Sequence, residues 1–197
     1  MIHPLIAVLV LTVSWSGAAP VSPTGPNPDA PPARLTPAAT LAALLRFEAP
    51  AGWKRSDYTN TAGADTVVGF EDGLDRIAIY AYGTKGSAYK TPAEFLKGPA
   101  ATTMGTPPVR FGSTPVAGRK ADLYRRGYPL MDTDPHAPSP RPTRMGSQIF
   151  CVLPPTADGR FVVLTYSRES PAPDPAARGE NTWNAFLKSI QAPLPKP

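Results

Sequence analysis

The chain of 197 residues holds a single cysteine and two histidines. One cysteine, Cys151, excludes an intrachain disulfide and any metal site built on a cysteine cluster. Of the histidines, His3 lies in the extreme N-terminal segment, so a body without that segment keeps His136 alone and has no histidine pair to hold a metal. The first 18 residues contain no Lys, Arg, Asp or Glu. No apolar run reaches the ~20 residues that a membrane-spanning helix needs. Neither G-x-S-x-G nor G-x-x-x-x-G-K-[ST] occurs, which excludes a nucleophile elbow and a P-loop of ordinary form. Internal repeats and heptads are also missing. What is abundant is proline, with 27 residues, against an average usage of about 5%. Hydrophobic residues at 42% and charged residues at 18% leave enough apolar surface for a packed core, so the chain is not disordered throughout.

The apolar run Leu5–Val13 has the length of the central region of a secretory signal. Ser16, Gly17 and Ala18 follow as small residues, and cleavage after Ala18 keeps Pro20 away from the scissile bond. The expected signal peptide is therefore 1–18, and the expected location of the mature chain is periplasmic or extracellular. Without a cysteine after the apolar run, a lipid anchor is not expected. Residues 19–43 carry a dense series of prolines (Pro20, Pro23, Pro26, Pro28, Pro31, Pro32 and Pro37) among small and polar residues. Such a segment buries too little apolar surface to order itself and reads as a disordered, extended linker. Leu41–Leu45 reads as a helical turn leading into the body, which is expected over 44–192. The proline-closed tail is 193–197.

Within the body the strand signals are Leu45–Ala49, Thr66–Phe70, Arg76–Tyr82, Val109–Phe111, Val116–Tyr128, Ser147–Leu153 and Arg160–Ser167. The segment Glu71-Asp-Gly-Leu-Asp75 supplies turn chemistry between the second and third. Turns are also expected near Gly112 and Gly118, and across Pro154–Gly159. Thr91-Pro-Ala-Glu94 reads as a helix start, with Thr91 as cap, Pro92 in the first turn and Glu94 closing a capping box. Phe95 and Leu96 would face inward, and Gly98-Pro99 would stop that helix. Trp183, Phe186, Leu187 and Ile190 fall on one face of a final helix starting near 179–182. Ile149–Leu153 and Phe161–Tyr166 are apolar on both faces, unlike a strand with one wet side, so these two strands belong in the middle of the sheet. The expected fold is α+β: a six- or seven-stranded, mainly antiparallel sheet flanked by helices as an α/β/α sandwich.

An ordered set of short motifs carries a family resemblance. They are Phe47-Glu-Ala-Pro-Ala-Gly-Trp53, Thr91-Pro-Ala-Glu-Phe-Leu96, Val116-Ala-Gly-Arg-Lys-Ala121, the pair Gln148–Leu153 and Arg160–Tyr166, and Trp183-Asn-Ala-Phe-Leu-Lys-Ser-Ile190. Over residues 47–190 the chain resembles the PsbP-like/Mog1-like group, which includes bacterial exported domains of unknown function. The resemblance implies a central antiparallel sheet flanked by helices. It also implies a non-enzymatic role in binding or assembling proteins, or as an accessory subunit. No functional residue of that group maps onto a motif here.

Candidate chemistry is sparse. Cys151 sits among apolar neighbours from Ile149 to Leu153 and reads as a buried small hydrophobe, because a reactive thiol needs an electropositive, partly exposed setting. Asp132, Asp134 and His136 alternate, as ligands for Ca²⁺ or Zn²⁺ could, but they lack an EF-hand glycine and glutamate and include Pro135. Solvated turn residues are the expected state, so no metal and no cofactor is assigned. Glu71, Asp72 and Asp75 read as a hairpin turn. Gly83-Thr-Lys-Gly-Ser87 has some character of a phosphate nest but no helix start follows, and it reads as a flexible loop. The proline-rich stretch Met131–Arg144 reads as a mobile flap between two strands.

Charge is more informative. Residues 19–100 carry eight basic and eight acidic side chains, whereas residues 101–197 carry twelve basic and seven acidic, so the whole +5 lies in the second half. Such a field steers acidic partners or anionic surfaces. Tyr124, Arg126 and Tyr128 share one face of a strand, Arg125 lies between them, and Tyr80 and Tyr82 share a face of another. Tyr and Arg are the side chains most enriched at binding hot spots. These six residues are the candidate partner-binding set, with a protein or an anionic envelope component as the expected partner. Nucleic acid is not expected after export, and no nucleic-acid motif is present. The function expected is an exported, non-catalytic binding or accessory module. The alternative is a small exported hydrolase or metal-dependent enzyme built on a carboxylate pair or on the Asp132/Asp134/His136 loop.

Overall fold

The computed structural model describes residues 37–58, 63–131, 142–169 and 178–192. Seven strands form one sheet: β1 (Lys54–Tyr58), β2 (Thr66–Asp72), β3 (Asp75–Tyr82), β4 (Val109–Val116), β5 (Arg119–Met131), β6 (Pro142–Val152) and β7 (Phe161–Arg168). Their spatial order is β1-β2-β3-β7-β6-β5-β4, and every neighbouring pair is antiparallel. Two meanders, β1 to β3 and β4 to β7, are thus joined along β3 and β7. Three helices accompany the sheet: α1 (Pro37–Ala42), α2 (Pro92–Lys97) and α3 (Arg178–Ser189). Among the described residues, no helix is long and apolar enough to cross a membrane.

The two-sided apolar pattern explains the centre. On β7, Val162, Leu164 and Tyr166 join the core cluster that contains Trp183, Phe186, Leu187 and Ile190. Phe161 and Val163 join the opposite cluster, which contains Phe95 of α2. Residues Phe161 to Ser167 are all buried. Each large apolar side chain removed from water in this way contributes about 1.5–3 kcal/mol, so the strand with most such residues takes the position with sheet on both sides.

Local chemistry sets the connections. Asp72 pairs with Asp75, which leaves Gly73 and Leu74 as a two-residue loop, and Gly73 has φ of 60°. A glycine at the first central position supplies the positive φ that tight hairpins require. At α2, Thr91 Oγ1 accepts from the Glu94 N–H at 3.2 Å, as expected of a cap. The return bond differs from a capping box, because Glu94 Oε2 accepts from the N–H of Lys90 at 2.8 Å. Gly98 closes the helix by donating to the Phe95 carbonyl at 3.0 Å.

Three expectations are corrected. Leu45–Ala49 is not a strand: only Arg46 pairs there, in an isolated bridge to Gln191, while Leu44 and Leu45 bury their side chains in the core cluster that holds Phe186 and Leu187. The first strand is instead Lys54–Tyr58, whose charged residues suit a short edge. Gly112 is not a turn. It follows a bulge within β4, where Arg110 faces Tyr124 and Gly112 faces Leu123, leaving Phe111 as the extra residue. The turn lies at Ala117-Gly118, and Pro115 is tolerated because β4 is an edge strand. The core also reaches back past Leu44 to Leu41, which is 1% exposed.

Candidate functional site

Strand pairing decides which candidate side chains meet. Tyr124 lies opposite Phe150, Phe150 opposite Thr165, and Thr165 opposite Ala78. Alternation along β5 and β3 then puts Tyr124, Arg126, Tyr128, Tyr80 and Tyr82 on one face, the face that carries Phe95. Arg125 points to the other face. Five of the six candidates therefore share a side of the sheet.

They are not equally accessible. Tyr82 is 1% exposed. Its ring lies 5.4 Å from those of Tyr89, Phe95 and Phe161, and burial drives its phenol pKa upward. It is part of the core. Tyr80 stacks on it at 6.3 Å and remains half-buried. Tyr124 stacks on Phe150 at 5.4 Å, and burial also raises its pKa. Tyr128 lies across Gly146, where a Cβ would stand 2.6 Å from the ring. Burial raises the Tyr128 pKa, opposed in part by its hydrogen bond with Ser167.

Arg126 is the central polar group of this face. Its Nε donates to Gln148 Oε1 at 2.8 Å, and its Nη1 donates to the Thr102 carbonyl at 3.0 Å. Both acceptors are neutral. Burial pulls the guanidinium pKa below its ordinary value, and the nearby Tyr80, Tyr128, Tyr82 and Tyr89 hydroxyls oppose that shift. A half-buried guanidinium with neutral partners keeps its positive field available to an approaching anion.

Arg125 is exposed on the opposite side, with its guanidinium carbon 5.5 Å from the centroid of the Phe111 ring. The chain matches no protein-family model, and no curated protein matches it at a significant level. The physical arrangement of the side chains thus carries the functional reading by itself.

The other candidates resolve in different ways. Cys151 is buried, and burial pushes its thiol pKa up to about 12. The Gly83–Ser87 loop is tied down. Asp65 accepts from Thr84 Oγ1 and from Ser87 Oγ, each at 2.6 Å. Lys90 Nζ donates to the carbonyls of Thr84, Lys85 and Ser87 at 2.7–2.8 Å. Three carbonyls converge on a cation there, the reverse of a phosphate nest. Asp132, Asp134 and His136 lie outside the described residues, as does most of the proposed flap. Among the described residues, no group of three or more His, Cys, Asp or Glu side chains gathers.

One network has no counterpart in the sequence reading. Asp75, expected to be a turn residue, accepts from the Tyr166 hydroxyl at 2.8 Å and lies 3.7 Å from Arg168 Nη1. Burial and this hydrogen bond raise the Tyr166 pKa. The register puts Asp75 directly opposite Arg168. Only a correct pairing of two strands distant in sequence could have revealed it. Nearby Asp72, Trp53 and Gly179 line a cavity of about 230 Å³.

Proposed function

We propose that this chain is an exported, non-catalytic binding or accessory module that engages a protein or an envelope component. The observation that carries the reading is the gathering of Tyr80, Tyr124, Tyr128 and Arg126 on one sheet face, with Arg126 held by neutral acceptors. Aromatic rings fixed by stacking lose little entropy on binding, and a pre-oriented guanidinium adds charge and direction. The excess of basic over acidic residues after position 100 supports an acidic or anionic partner. The uncharged N-terminal segment with Leu5–Val13 supports export, and N-terminal sequencing of the exported protein should begin at Ala19.

The fold reading belongs to the same proposal. The α3 side chains in one core cluster and Phe95 in the other support an α/β/α sandwich of the PsbP-like/Mog1-like kind. The test of function is photocrosslinking of the full chain in its native envelope, with the reactive residue placed at Tyr80 or at Tyr128. A discrete adduct whose yield falls with rising salt is the expected result. Failure to trap any partner from these positions, and from Phe111 on the other side, would sink the reading.

A further inference from the structure

The described residues expose four large apolar side chains. Leu74 stands alone at the β2–β3 turn, but Met104 at 91%, Val109 at 57% and Phe111 at 44% fall in one stretch of eight residues. The backbone holds Met104 out. Met104 and Gly105 have φ of 49° and 79°, and their turn is closed by paired bonds between Thr103 and Thr106 of 3.0 and 2.7 Å. A non-glycine residue in that conformation is strained, and such strain persists only where the surroundings impose it. Here they do: Thr103 Oγ1 donates to the Gly127 carbonyl, and Arg126 holds the Thr102 carbonyl. The turn therefore sits beside β5 on the side of Arg126, whereas Val109 pairs with Arg125. Phe111 is the extra residue of the bulge, and the exposed Arg125 lies over its ring.

Charge selects the occupant. On the β4–β5 hairpin, alternation puts Arg119 and Arg125 on the side of Phe111, while the one acid, Asp122, lies on the other side with Arg110, Lys120 and Arg126. That acid is already engaged by Arg110 at 2.7 Å. A second copy of the chain would bring two such basic hairpins together. It would also meet an edge interrupted by the bulge and by Pro115, both of which obstruct strand addition. A lipid surface calls for a broad apolar face, whereas among the described residues only Val109 and Phe111 are exposed large apolar side chains beside Arg125.

We propose that this corner of the sheet, formed by Val109, Phe111 and Arg125, docks an acidic segment of a partner protein. An apolar side chain of the partner rests on Val109 and Phe111, and a carboxylate pairs with Arg125. The proposal rests on the reading of the chain as a binding module, and it places the contact on the side of β5 opposite the tyrosines.

The test is a titration of the isotopically labelled full chain with a random glutamate–tyrosine copolymer, followed by amide chemical shifts at low salt. Shifts should centre on Val109–Gly112 and Arg125. Arg125→Glu and Phe111→Ser should each weaken binding about tenfold or more, whereas Lys97→Glu, an equal charge change on α2, should leave it within about twofold. Equal weakening by Lys97→Glu, shifts centred on Arg126 and Tyr128, or no effect of Phe111→Ser would overturn the proposal. So would tighter binding to phosphatidylglycerol vesicles than to the copolymer, or a concentration-dependent dimer abolished by Phe111→Ser. In the native envelope, a photocrosslinker at Phe111 should reach an acidic peptide and lose that product with Arg125→Glu. A partner trapped from Tyr80 but not from Phe111 would remove this proposal and leave the broader reading standing. No product from either position would remove both.

Discussion

The ammonium of Lys90 lies 2.7 Å from the carbonyl oxygen of Ser87, and the carbonyls of Thr84 and Lys85 complete the same cradle. Asp65 ties the opposite side of the loop through the Thr84 and Ser87 hydroxyls. Lys90→Met should therefore free three carbonyls and cost about 1.5–3 kcal/mol, the range for hydrogen bonds involving a charged group. Amide exchange should accelerate across Thr84–Ala88 while β4 and β5 keep their protection. An unchanged exchange profile would mean that the cradle does not hold the loop.

Phe95 is the ring on which the α2-side core converges. Its centroid is 5.4 Å from those of Tyr82 and Tyr89, 5.9 Å from Phe150 and 6.5 Å from Phe161. Phe95→Ala should cost about 3–5 kcal/mol, because four neighbouring rings cannot all collapse into the space. Urea unfolding measures the loss. Near-ultraviolet circular dichroism should fall with it, since the asymmetric packing of Tyr82 and Tyr89 depends on the missing ring.

The difference between what the sequence reveals and what it hides follows the range of the interactions. Phe161–Tyr166 is largely apolar on both sides, and that alone argues for a central strand. The stripe Trp183, Phe186, Leu187 and Ile190 is likewise a local pattern, as is the Thr91 cap. Leu45–Ala49 misleads because burial of Leu44 and Leu45 looks the same in a strand and in irregular chain; the nearby Lys54–Tyr58 lacks the apolar alternation of an interior strand. Gly112 suggests a turn, but bulge and turn share a preference for glycine, and only the pairing with Leu123 separates them. For the candidate site, alternation is enough to group Tyr124 with Arg126 and Tyr128, and Tyr80 with Tyr82. It does not show that Tyr82 is enclosed, that Arg126 reaches Thr102, or that Phe111 lies under Arg125. Those depend on how β3, β7, β6 and β5 lie side by side, and the β3–β7 contact joins residues 91 apart, as in Asp75 and Tyr166.

Arg126 joins β5 to β6 and to the turn before β4 with two different nitrogens. A lysine has one point charge on a flexible stem and cannot span Gln148 and Thr102 with the same fixed fork. Arg126→Lys should therefore behave much like Arg126→Ala in one respect: faster exchange of the Thr106 amide, which closes the Met104 turn. Both variants should lose about 1.5–3 kcal/mol of stability by thermal unfolding, the range for a hydrogen bond to a charged group. Full protection of Thr106 in Arg126→Lys would show that the turn stands without the guanidinium.

Cys151 makes the alkaline limit of stability readable. Its pKa rises from 9.0 to about 12 in the folded chain because burial disfavours the thiolate. Above pH 9 the unfolded chain loses this proton while the folded chain keeps it, so the unfolded state binds fewer protons and stability falls as pH rises. The slope approaches 1.4 kcal/mol per pH unit per group, about the free energy of one pKa unit. The loss continues until the folded thiol itself ionises near pH 12. Tyr82 and Tyr166 act in the same direction from pH 10 upward, since burial raises both of their pKa values. Urea unfolding from pH 7 to pH 10 should show a decline that Cys151→Ala makes shallower between pH 9 and pH 10, where the tyrosines contribute least. At pH 8 the folded chain should react with a thiol reagent only at the rate at which it opens. An identical decline in Cys151→Ala, or fast labelling of the native chain, would place the thiol in contact with solvent and contradict its enclosure between Leu164 and the α3 side of the core.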